Sequence, residues 1–255
     1  MIFKIRPKIT KQFDEIHNFG FKNLIVTGCS FVYNNHDSSA VTWPYYLRDM
    51  GGFDNVLDTS MPAAGNYHIA NSLQWAIEMD RPNVDNSLII VMWSGNDRDD
   101  YICPITNLTT SSLQFNYDNY VATGVTGGSA DNNTGNTKQG LKILAQTKTH
   151  KSRAIENYLY ISGLWSFLTA AGYKFLFLNY MNQKLPNRTK DFDITKFLEK
   201  PLQKKFNSMM LNVTDPYTYA LKNNLLLTDD FHPSPDGHLD WTRNVLLPKL
   251  QTMFS

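Results

Sequence analysis

Ser87-Leu88-Ile89-Ile90-Val91-Met92-Trp93 is the stretch that decides the fold. Six apolar residues in a row, three of them β-branched, do not alternate, so this is not a strand with one wet face. A run this short and this uniformly apolar reads as a strand buried on both sides. Working outward, Leu24-Ile25-Val26 and Lys174-Phe175-Leu176-Phe177-Leu178 read the same way, with a weaker strand at Val56-Leu57 and a last one at Leu225-Leu226-Leu227. Between them lie segments of helical character. Thr42-Trp43-Pro44 opens a helix to about Met50, with Thr42 as cap and Pro44 in the first turn, and Gly51-Gly52 stops it. Ile69, Ser72, Leu73, Ala76 and Ile77 recur at helical spacing and predict a helix over roughly 66–79. Further helices are expected from Lys151 to about Ala171 and within 196–211. Ser234-Pro235-Asp236 reads as N-cap, first-position proline and first-turn acid of a C-terminal helix to about Met253. Apolar strands alternating with helices predict a parallel sheet covered on both faces.

One segment does not follow this rhythm. Residues 101–148 are rich in Asn, Thr, Ser and Gly and are too long for an ordinary connection. They are expected to form an insertion, either a flap with its own hairpins or an arm for oligomer contacts, in a single domain spanning 1–255.

The bulk composition is that of a globular protein: 255 residues, 42% hydrophobic, 18% charged, with a formal net charge of +1. Charges of both signs are mixed along the chain, which argues against a nucleic-acid partner. No apolar run reaches the roughly 20 residues of a membrane helix. The first twenty residues alternate charged and apolar positions too often for a secretory signal. With only Cys29 and Cys103 there is no disulfide framework. A cytoplasmic location is therefore expected, with association with a virion left open.

In a parallel α/β sheet, ligands bind beyond the carboxyl ends of the strands, and four short motifs fall there. Gly28-Cys29-Ser30 follows the first strand, where a tight turn would project the Ser30 hydroxyl into the crevice. Ala64-Gly65-Asn66 precedes the second helix, where Gly65 could expose a backbone N–H at a positively polarised helix start. Ser94-Gly95-Asn96-Asp97 follows the strongest strand, and an Asn amide there can donate to an oxyanion. In Asp229-Asp230-Phe231-His232-Pro233, an Asp three residues before a histidine can hold the imidazole in the tautomer that a general base needs. Cys29 is a rival nucleophile, but successive side chains on an extended segment point opposite ways, so it reads as a small buried hydrophobe. Asp97, Asp99, Asp100, Asp229, Asp230, His232 and His238 could in principle hold a metal, yet no ligand spacing is evident. His238 falls in the first turn of the C-terminal helix. His17, His36, His68 and His150 read as ordinary.

With these four motifs in this order, the chain resembles the SGNH (GDSL-like) hydrolases. The first motif is similar to that family's block I over Leu24 to Ser30, with the usual following helix at Trp43-Pro44-Tyr45-Tyr46-Leu47. Gly65 matches block II, Asn96 block III, and Asp229 with His232-Pro233 the last block. The resemblance spans 23–97 and 150–254. It implies a three-layer α/β/α sandwich on a flavodoxin-like parallel sheet of about five strands, with the insertion after the third. It further implies ester hydrolysis without metal or cofactor. Ser30, Asp229 and His232 would be catalytic, and Ser30, Gly65 and Asn96 would hold the oxyanion. Two positions depart from the family pattern: Cys29 stands where Asp is usual, and Ser94 where Gly is usual. The expected partner is a small-molecule or glycan ester, carbohydrate O-acetyl esters included. Acyl transfer to a sugar hydroxyl, or a non-catalytic carbohydrate-binding or structural module, would use the same framework.

Overall fold

The computed structural model describes residues 4–5, 13, 16–33, 41–62, 64–95, 98–102, 120–124, 148–180, 194–226 and 232–254. Its main sheet has five strands: β1 (Lys4–Ile5), β2 (Asn23–Thr27), β3 (Asn55–Asp58), β4 (Ser87–Trp93) and β7 (Lys174–Asn179), in the order β1-β3-β2-β4-β7. The last four are parallel, with Ile25 between Leu57 and Ile89, and Ile89 between Ile25 and Phe175. β1 runs antiparallel along β3. A separate antiparallel pair, β5 (Arg98–Ile102) with β6 (Tyr120–Gly124), leaves from the end of β4. Every residue of β4 is buried, and Leu24 through Thr27 are likewise buried on β2. Each fully buried aliphatic side chain contributes roughly 1.5–3 kcal/mol over leaving it in water.

Parallel neighbours cannot be joined by a hairpin, so the crossovers are helical. Helices α1 (Trp43–Met50), α2 (Asn66–Asp80) and α3 (His150–Ala170) supply them. α2 packs against α3 and β4, and α3 against β7. α1 packs on β2 and β3, and against α6 (Pro235–Trp241), which continues through a π-helical turn (Thr242–Leu246) into α7 (Leu247–Phe254). The sheet thus lies between two helical layers. Helices α4 (Lys200–Met209) and α5 (Pro216–Lys222) and a 3₁₀ turn (Ile194–Phe197) complete the described elements.

The expected strands at 24–26, 56–57, 87–93 and 174–178, and the helices around them, stand within a few residues of the observed ones. One expectation needs correction. Among the described residues the parallel sheet has four strands, and Leu225 and Leu226 do not supply a fifth. The edge of β7 is taken by Met210 and Leu211, the latter donating its N–H to the Phe177 carbonyl at 2.8 Å. Leu225 and Leu226 pair instead with Ser234 and Pro233. β5 begins at Arg98 and runs into the segment expected as the insertion. The remainder of 101–148 lies outside the described residues, apart from Tyr101, Ile102, β6 and Lys148 onward.

Because Ile89 sits at the centre of the sheet with no exposed surface, Ile89→Ala should cost about 2–5 kcal/mol. Urea denaturation should show the midpoint falling with the slope unchanged.

Candidate active site

The turn after β2 is set by a close approach. A Cβ at Gly28 would overlap the Val32 side chain and stand 3.0 Å from the Met92 carbonyl oxygen, so only glycine lets the chain bend here beside β4. Cys29 then accepts from the N–H groups of Val32 and Tyr33 at 2.9 and 3.0 Å, closing one helical turn around Ser30. Thr42 ties that turn to the start of α1 by donating its hydroxyl to the Val32 carbonyl at 2.7 Å. Cys29 is fully buried in the core, as its reading as a small hydrophobe expects, whereas Ser30 is half-buried at the rim.

His232 reaches the same place from the other end of the chain. Ser234 donates its N–H to the Leu225 carbonyl at 2.7 Å, and its side chain accepts from Gly237 at 3.0 Å as the N-cap of α6. These bonds anchor the residues just after His232. The His232 ring lies 4.7 Å from that of Phe31, centroid to centroid, and its Nε2 is 2.7 Å from Ser30 Oγ. That is an ordinary hydroxyl–imidazole hydrogen bond, and it allows a proton to pass from Oγ to the ring.

Gly65 is the N-cap of α2, at the same edge of the sheet. The loop before it crosses the end of β2, with Met61 donating to the Gly28 carbonyl at 3.1 Å. Ser94 then fastens it to the end of β4: its hydroxyl donates to the Ala64 carbonyl at 2.6 Å, and its N–H donates to Asn66 Oδ1 at 2.8 Å. The Asn66 amide in turn donates to the Ser94 carbonyl at 3.0 Å and to Asn157 Oδ1 at 3.1 Å. Gly65 N–H is itself engaged. It donates to Asp100 Oδ1 at 2.7 Å, and His68 N–H donates to Asp100 Oδ2 at 2.7 Å.

The structure therefore brings Ser30 and His232 into contact and sets Gly65 on the same rim. Asn96 and Asp229 lie outside the described residues, as do Asp97, Asp230, His36 and Cys103. Sequence reading missed the Ser94–Asn66–Asn157 network, the contact of Phe31 on His232, and Asp100 as the partner of Gly65. The available signal for Asp100 was negative: α2 has no acid in its first turn and no capping side chain of its own. Among the described residues, no three of His, Cys, Asp and Glu are grouped to hold a metal ion, and no helix is long and apolar enough to cross a membrane.

No family model matches the chain, and no curated protein matches it. Among solved structures it is similar to a protein of the G-D-S-L family from Desulfitobacterium hafniense DCB-2, with 12% identity over 92% of this chain and 99% of that one and a TM-score of 0.49. It is also similar to the psychrotrophic esterase EstA from Pseudoalteromonas sp., in a structure inhibited by monoethylphosphonate. There the identity is 12% over 91% of this chain and 98% of that one, with a TM-score of 0.49.

A cavity of about 490 Å³ lies between the ends of β4 and β7 and helix α4, and Ser30, Gly65 and His232 are not among its lining residues. Its wall includes Gly95, Asn179, Tyr180, Thr195, Asn207 and Asn212, and none of its described lining residues carries a charge. Tyr180 connects it to the Ser30 turn, its ring 4.9 Å from that of Phe31.

Two further histidines are buried near this edge. His238, in α6, is held down to about 3, first by burial and then by the charge of His232; His68 is held down to about 4 by burial. Both fall below the usual imidazole value of 6.5, so the unfolded chain binds these protons more readily than the native one. Native stability is therefore lost as pH falls from about 6.5 towards these lowered values, and the two rings add no slope above that window. Denaturation at a series of pH values should show stability falling between pH 6.5 and 4.5, with His238→Gln removing about one proton from the slope.

Proposed function

We propose that this chain is a serine ester hydrolase that cleaves a carboxylic ester through an acyl-enzyme. The observation that carries the reading is the 2.7 Å contact of Ser30 Oγ with His232 Nε2, made by residues 202 positions apart at the carboxyl edge of a parallel sheet. A turn serine needs no histidine. A nucleophilic serine needs a base within this reach to take its proton.

In the proposed reaction His232 Nε2 accepts the Ser30 proton while Oγ bonds to the acyl carbon. The carbonyl π electrons move onto oxygen. The N–H groups of Ser30 and Gly65 and the Asn96 amide receive that oxyanion, and Asp229 holds the imidazolium. As the tetrahedral species collapses, the bond to the alkoxy oxygen breaks and His232 returns the proton to it, releasing the alcohol. Water, deprotonated by His232, then adds to the acyl carbon, and the bond to Ser30 Oγ breaks with return of the proton. The products are one acid and one alcohol. His238 does not compete as a base, since it is buried in α6 and its pKa is low.

The cavity supports a neutral, polar alcohol portion. Asn179, Asn207 and Asn212 on its wall each offer a donor and an acceptor beside the apolar Phe206, Met210 and Leu211, which suits a ring bearing hydroxyl groups better than a phosphate. Carbohydrate O-acetyl esters fit that description.

The deciding experiment is labelling with a serine-directed phosphonate alongside turnover of p-nitrophenyl acetate. Ser30→Ala should abolish both with the thermal midpoint nearly unchanged, while Cys29→Ala keeps both. A Ser30→Ala protein that still turns over ester would refute the mechanism, and a folded wild-type chain that neither labels nor turns over is a binding module.

The two adjacent aspartates should also separate. Asp229→Asn should lower kcat by on the order of 10²–10⁴-fold, the cost of an imidazole in the wrong tautomer, and Asp230→Asn by much less. Steady-state kinetics of the two variants on one ester checks the order, and equal losses would remove Asp229 from the assignment.

A further inference from the structure

The N–H group proposed to receive the oxyanion at Gly65 already holds an anion, and that anion is the chain's own. Asp100 enters from β5, outside the main sheet, and spans the start of α2 with both carboxylate oxygens: one on Gly65 N–H and one on His68 N–H, each at 2.7 Å. Nothing else crowds the spot as closely. The three atoms nearest to where a Gly65 Cβ would stand are Asp100 Oδ1, Cγ and Oδ2, at 2.7–2.8 Å.

Two things follow from elementary chemistry. Gly65 is the N-cap and His68 the third helical residue, so Asp100 alone performs both halves of a capping box, a task normally shared by two residues of the helix itself. A carboxylate on these donors is also the chemical likeness of what an acyl-transfer site must bind there, the tetrahedral oxyanion or the carboxylate product. Gly65 N–H has a single hydrogen, so Asp100 and the oxyanion exclude one another.

We propose that Asp100 is an internal competitor for the oxyanion site. Its carboxylate closes Gly65 N–H at rest and withdraws when substrate binds, so that the position of Asp100 on β5 regulates the reaction at Ser30. This rests on the esterase reading above. Only the fraction of molecules with Asp100 displaced accepts substrate productively, and the apparent rate is lowered by that fraction. Whatever moves the β5–β6 pair, substrate or partner, then sets the activity.

The experiment compares wild-type with Asp100→Asn and Asp100→Ala. Three quantities are read: the second-order rate of Ser30 labelling by the phosphonate, kcat/KM for p-nitrophenyl acetate, and the thermal midpoint. Both variants should label faster and turn over faster, by about tenfold for Asp100→Ala if the competent fraction at rest is about one in ten, while the midpoint falls because α2 loses its cap. Unchanged or slower labelling in folded variants would make Asp100 a helix cap and nothing more. A second measurement needs no variant. On phosphonylation of wild-type protein, the Gly65 and His68 amide proton resonances should both shift as Asp100 leaves; if His68 stays where it was, Asp100 has not moved and the proposal fails. Ser30 labelling in wild-type protein tests the esterase reading separately. With no labelling in any variant, that reading falls and takes this one with it. With labelling that Asp100 substitutions do not accelerate, only this one falls.

Discussion

Burial of β2 and β4 on both faces is the constraint from which the rest of the architecture follows. A strand with no wet face must satisfy its backbone N–H and C=O groups sideways, from strands that are themselves covered. Parallel pairing does this, and it requires each crossover to travel back over a face of the sheet as a helix. All four parallel strands then finish at one edge. The Ser30 turn, Gly65, Ser94–Gly95 and Tyr180 emerge together there because the sheet leaves them no other place. His232 is the exception. It belongs to no strand, and its position is secured by Leu225 and Leu226 pairing with Ser234 and Pro233 and by the capped start of α6.

How much of this could be read in advance depends on whether an element is decided locally. The expected bounds of β4 are the observed ones, because an unbroken apolar run between Ser87 and Ser94 leaves no other option. The start of α6 was equally legible, since cap, proline and first-turn acid act on neighbouring atoms. α5 carries a comparable signature in Asp215-Pro216, with Asp215 accepting from Thr218 N–H at 2.7 Å, but seven residues are too few to show a helical period. The apolar triplet Leu225–Leu227 misled for the opposite reason. It has strand composition, but Met210 and Leu211 had taken the edge of β7, a competition between segments that no local pattern records. β1 is set in the same way, by a two-residue pairing with β3.

The candidate site divides along the same line. Ser30 and His232 were legible because a glycine turn at a strand end and an Asp-x-x-His-Pro segment are local chemistry, and the sheet then brings the two side chains together. Ser94 was seen only as a departure from the family pattern. The structure gives the hydroxyl a purpose, since it holds the Ala64 carbonyl and so fixes Gly65 against the end of β4. Glycine could not make that bond. The loop bearing one proposed oxyanion donor is thereby tied to the strand that leads to the other, Asn96.

Asp100 was the least legible residue, and the reason is physical. Helices α3, α5 and α6 begin with side chains of their own that accept a first-turn N–H: Thr149, Asp215 and Ser234. α2 begins with Gly65, which has nothing to offer, and its first turn carries no acid. The positive end of its dipole is left to be met from elsewhere. Had a serine or aspartate stood at position 65, its side chain would commit the first N–H groups to the helix itself, for a gain over glycine of only about a few tenths of a kcal/mol. Glycine keeps them available, and the arm's carboxylate fills them at rest. In the proposed switch, the cost of uncovering them is that of one carboxylate leaving a helix start, about 0.3–2 kcal/mol, which a bound ester would offset from its own contacts. A helix start left uncapped by its own sequence, beside the proposed nucleophile Ser30, is a weak point of the fold and, in the proposed mechanism, the place where the reaction would be controlled.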